Sequence, residues 1–109
     1  MNRQRLLDRF LRYVKIDTTS SADSDTYPST PGQLDLGKVV ADEMRLLGVS
    51  SVSMNTHGIV IGTLPSNVDK DVPVVAFNSH FDTSPETTGK NVKPNVIESY
   101  AGGDIQLAG

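Results

Sequence analysis

Apolar residues near the start of the chain recur at helical spacing: Leu6, Leu7, Phe10, Leu11 and Val14, with Arg3, Arg5, Asp8, Arg9 and Arg12 between them. This spacing predicts an amphipathic helix from about Asn2 to about Lys15. The period is lost at Ile16-Asp17-Thr18-Thr19-Ser20-Ser21, and through Thr30 the chain is rich in Ser, Thr, Asp and Pro, as surface loops are. A second helix has a marked start, with Thr30 as N-cap, Pro31 at the first helical position and Gln33 where a capping box places Glu or Gln. Leu36, Val39, Val40, Met44 and Leu47 supply its apolar face, and Gly48 its left-handed stop.

The pattern then changes to strands. Ser51-Val52-Ser53-Met54 alternates, His57-Gly58 makes a turn, and a second strand runs from Gly58 to Leu64. The polar stretch Pro65 to Asp71 leads to a third predicted strand, Val72 to Ser79. Its run Val72-Pro73-Val74-Val75-Ala76-Phe77 is unbroken, which suits a strand covered on both faces in the parallel part of an α/β sheet. After Thr83 no clear period survives. Pro85, Gly89, Pro94, Gly102, Gly103 and Gly109 punctuate the tail, and only 104–109 could open another strand. So long a structureless tail counts against a complete unit. The expected fold class is α/β, two helices packed on a mixed β-sheet.

Composition narrows the function. The 109 residues make one domain at most, with 37% hydrophobic and 21% charged residues, as in ordinary globular chains. A formal charge of -3 gives no basic footprint, so no nucleic-acid partner is expected. With no cysteine there is no disulfide framework, no thiolate nucleophile and no cysteine-ligated zinc. The charges of Arg3, Arg5, Asp8 and Arg9 leave no room for a signal-peptide core, and no apolar run is long enough to span a membrane. A cytoplasmic protein without a membrane partner is expected.

The candidate chemistry stands at the end of the third predicted strand, in Asn78-Ser79-His80-Phe81-Asp82-Thr83-Ser84-Pro85. Side chains two apart on a strand share a face, so the His80 imidazole and the Asp82 carboxylate can meet. A metal-bound imidazole uses such an arrangement, with one ring nitrogen on the metal and the other held by an acid or a carbonyl. In α/β sheets ligands also sit beyond the carboxyl ends of strands. The competing structural reading is a strand-end histidine that caps a carbonyl, with Asp82 starting a turn. His57 reads as a turn residue. Gly89-Lys90-Asn91 lacks the glycine spacing of a phosphate loop. Ser20, Ser21 and Ser84 have no base placed beside them.

Longer stretches resemble a known family. His80-Phe81-Asp82-Thr83-Ser84-Pro85, Gly89-Lys90-Asn91-Val92 and Tyr100-x-Gly102-Gly103-Asp104-Ile105-x-Leu107 are similar to the tripeptide aminopeptidases of the dinuclear-zinc exopeptidase family. Arg9-Phe10-Leu11-Arg12-Tyr13-Val14, Asp17-Thr18, Pro28-Ser29-Thr30 with Gly32-Gln33, and Gly62-Thr63-Leu64-Pro65 fit the same pattern. The resemblance implies that His80 is a zinc ligand and Asp82 the active-site carboxylate that orients it. It also implies two Zn2+ ions per complete site and release of the N-terminal residue of tripeptides. A bridging aspartate, an adjacent glutamate pair, a further aspartate and a distant histidine match no position here. On this resemblance residues 1–109 are the N-terminal portion of a catalytic domain, without its lid domain, and inactive alone. A zinc carboxypeptidase or amide deacylase of the same family is the nearest alternative. A non-catalytic remnant binding a peptide or protein is the alternative from another class. An apolar face left open where more sheet should sit would favour self-association, with a homodimer its simplest form.

Overall fold

A computed structural model describes residues 2–107; Met1, Ala108 and Gly109 lie outside, and with them the last two residues of the possible strand at 104–109. The first predicted helix is present as α1 (Arg3–Tyr13). Asn2 caps it: its side-chain Oδ1 accepts the Arg5 backbone N–H at 3.0 Å. The second helix, α2, spans Pro31–Leu46 with Thr30 as N-cap. The capping box does not form. The Thr30 hydroxyl donates instead to the Thr19 carbonyl at 2.9 Å, and the Gln33 amide reaches the hydroxyls of Ser29 and Thr30. The helix start is thereby tied to the preceding loop and not to itself.

At the other end of α2, Gly48 has φ +80. Its N–H donates to the Arg45 carbonyl, and the Val49 N–H to that of Met44, both at 3.0 Å. This is a Schellman turn, whose left-handed residue carries no Cβ penalty when it is glycine. The chain emerges reversed and enters β1 (Ser50–Met54), which pairs antiparallel with β2 (Val60–Thr63). Between Ser50 and Ser53 the register slips, two residues of β1 facing one of β2, and Ser51 takes φ 51 in this bulge. Asn55 closes the hairpin, its side chain accepting the N–H groups of His57 and Ile59.

α2 lies on this hairpin and supplies the small core, Leu36 and Ala41. α1 joins α2 through one acidic residue. Glu43 accepts from Arg9 at 2.8 Å, from the Tyr13 hydroxyl at 2.7 Å and from Arg12. The apolar face of α1 is not buried in that core. Leu7, Phe10, Leu11 and Val14 face the stretch Val92 to Ile97 across an open groove of about 390 Å³.

The expected mixed sheet is not present among the described residues: the sheet is two-stranded and antiparallel. Residues 72–79 form no strand, with Val74 and Phe77 each 96% exposed. The physical reason is that a strand apolar on both faces needs ladder partners at its edges and a layer above and below. The hairpin satisfies only itself. The consequence shows in the whole chain. Its accessible surface is 9240 Å², where a compact monomer of this mass exposes about 5,900 Å². Its radius of gyration is 17.4 Å, against about 13 Å for a compact domain of equal length.

Candidate metal-ligand site

His80 and Asp82 are brought together. The His80 Nδ1 lies 2.8 Å from the Asp82 carbonyl oxygen and 3.1 Å from its Oδ1. A neutral imidazole that donates its Nδ1 proton leaves the Nε2 lone pair free. The side chain is 80% exposed. The two readings of the sequence coincide in this geometry: the imidazole caps a carbonyl and meets the carboxylate of the same residue. The pair forms without the strand expected to present it.

A polar clasp follows on the C-terminal side of the pair. Thr83 forms an isolated parallel bridge with Thr19. Its N–H donates to the Thr18 carbonyl at 3.1 Å, and its carbonyl accepts both the N–H and the hydroxyl of Ser20, at 2.9 and 3.0 Å. Six residues on, the Gly89 N–H donates to the Thr19 hydroxyl at 2.9 Å. That hydroxyl gives its own proton to Asp17 Oδ1 at 2.6 Å, and the same oxygen accepts the Thr19 N–H at 3.1 Å. The side-chain and backbone hydrogen bonds from Thr19, with Lys90 nearby, hold the Asp17 carboxyl below its usual range.

Two glycines let the chain close this tightly. A Cβ at Gly89 would stand 2.7 Å from Asp17 Oδ1 and 2.8 Å from the Thr19 hydroxyl, and one at Gly32 only 1.7 Å from the Asp17 carbonyl oxygen. Thr18, at the centre, is buried. The contribution of Asp17 and Thr19 is not announced by the residues near His80. The local signal is Asp17-x-Thr19, an Asx-type turn in which the carboxylate caps an N–H two residues on.

The remaining candidates fall elsewhere. His57 sits in the hairpin turn, with its Nδ1 3.1 Å from the Tyr27 carbonyl and its ring 5.3 Å from that of Tyr27. Ser20 is engaged with Thr83, and a Cβ at Gly102 or Gly103 would meet open space. Among the described residues no group of three or more His, Cys, Asp or Glu could hold a metal ion, and no helix is long and apolar enough to cross a membrane.

No family model matches the chain. Curated proteins named peptidase T match it along most of its length. Over 105 residues, 96% of its length, the chain is 50% identical to peptidase T of Bacillus cereus (strain Q1), and equally to those of Bacillus pumilus (strain SAFR-032) and Bacillus mycoides (strain KBAB4). Across that stretch it is homologous to peptidase T. The chain spans about a quarter of the length of these relatives, 26% of each.

Proposed function

We propose that the chain is the N-terminal portion of the catalytic domain of a zinc-dependent tripeptide aminopeptidase that works in the cytoplasm on small peptides. The observation that carries this reading is the 50% identity to peptidase T along nearly the whole chain. It also favours a tripeptidase over a related carboxypeptidase or amide deacylase.

The donor set fits a contribution to a metal site and not a site by itself. His80 offers one nitrogen, Nε2, and Asp82 accepts a hydrogen bond from Nδ1–H, an arrangement that favours this tautomer and makes the ligand more basic. Zinc needs three or four protein ligands, and a two-metal site more. The chemistry that a bound zinc pair supplies is a water acidified into the neutral range beside a polarised peptide carbonyl. The general base and the other ligands come from sequence outside these residues, and the 109-residue chain alone is inactive and binds zinc weakly.

A second reading draws on the open surface: a non-catalytic module that binds a peptide or another chain through Val72 to Phe77. Reading the coding region beyond the Gly109 codon separates the two. A continuation with a bridging aspartate, paired glutamates and a late histidine supports the peptidase, while a stop codon supports the binding module. In the longer enzyme His80→Ala abolishes most activity, and Asp82→Ala costs about 10–100-fold in metal affinity or rate. Tripeptide hydrolysis by the 109-residue chain, lost on adding chelator, would contradict its inactivity.

A further inference from the structure

Among the described residues, Asp82 alone hydrogen-bonds the His80 imidazole, and the direction of the ring therefore follows the backbone of Asp82. Among the described residues 64–82, hydrogen bonds run only within the stretch, as between Ser66 and Val68. The first tie to the packed part of the molecule is Thr83, one residue after Asp82. It is made to residues 18–20, and the shape of that turn is set by Asp17 and Thr19. The Thr19 hydroxyl bonds in both directions: it donates to Asp17 and accepts the Gly89 N–H. Its backbone carbonyl is anchored in turn by Thr30 at the start of α2.

We propose that Asp17 and Thr19 are positioning residues for the His80–Asp82 pair, the clasp they form with Thr83 and Gly89 setting the direction in which the His80 Nε2 faces. The inference rests on reading His80 as a metal ligand, but the orientation it concerns is measurable without metal or activity. Thr19 acts at a distance, through hydroxyl bonds that valine cannot make and serine can. Asp17 acts through Thr19, and Asp17→Asn keeps the acceptor oxygen while removing its charge.

The test is nitrogen NMR of the 109-residue chain at about pH 8. It reads the tautomer of His80 and the hydrogen exchange of the Thr83 and Gly89 amides. In the unaltered chain His80 is expected mainly as the Nδ1–H form, with both amides protected. Thr19→Val is expected to speed exchange at Gly89 by roughly three- to tenfold, the loss of one hydrogen bond, and to move His80 toward the Nε2–H form that free imidazole prefers. Thr19→Ser restores both, and Asp17→Asn falls between. Protection of the α2 amides in each variant separates a local release from unfolding; if Thr19→Val unfolds the chain, the Asp17→Asn and Thr19→Ser pair decides. Release of Gly89 with the His80 tautomer unchanged would overturn the proposal, as would an unaltered chain whose Thr83 and Gly89 amides are unprotected. An unchanged rate in His80→Ala of the longer enzyme would instead defeat the ligand reading, leaving the tautomer result standing.

Discussion

Residues 2–63 and residues 64–107 share a chain and little else. In the first part α2 covers the hairpin, Glu43 ties α1 to α2, and caps or turns finish both helices. The second part holds no helix or ladder among its described residues, and its most apolar run faces water. The difference does not lie in apolar content. Helices and a two-stranded hairpin satisfy their backbone from within or from the next segment, whereas a doubly covered strand depends on partners from afar. The second part is held to the first mainly by the clasp of Thr83 and Gly89.

The contrast breaks most visibly with paired truncations. Leu36→Ala, in the α2 core, is expected to cost about 2–4 kcal/mol in chemical denaturation. Phe77→Ala, at a larger but fully exposed side chain, should change stability by less than about 0.5 kcal/mol while reducing self-association on gel filtration. Equal effects at the two sites would show that the second part packs in solution. Next in size is Gly32→Ala. The new methyl meets the Asp17 carbonyl, and a loss of about 2–3 kcal/mol is expected from thermal melts, with release of the Thr83 amide.

Much of the first part was legible in the sequence because its determinants are local. The i, i+3, i+4 spacing of Leu7, Phe10, Leu11 and Val14, the Thr30-Pro31 start and the Gly48 stop each act within a turn of the chain. Val72 to Ser79 was misleading for the same reason: its pattern records a strand's preference for burial, and not whether partners are at hand. His80 and Asp82 were legible as a pair since only one residue separates them. The clasp was not, because Thr19 and Gly89 are 70 positions apart.

Two smaller effects sharpen the comparison. Glu43→Gln should cost about 0.5–1.5 kcal/mol, reduced by the exposure of Arg9 and Arg12, and the difference should shrink in about 1 M salt. Acid acts on the clasp through Asp17. Its carboxyl titrates below the ordinary 3.8 in the folded chain, so its support is complete above that value and lost as pH falls through the lowered one. The Gly89 amide signal, followed down the pH scale, should hold until below 3.8; movement near pH 5 would assign the change to another group.

The open surface has a thermodynamic signature of its own. An unfolded chain of this mass exposes about 17,000 Å², so unfolding from 9240 Å² uncovers about 7,700 Å², where a compact fold of equal length would uncover about 11,000 Å². Denaturant slopes and heat-capacity changes scale with that newly uncovered area. The chain should therefore melt with a shallow urea dependence and a flattened stability curve, responding to temperature like a domain about two-thirds its length.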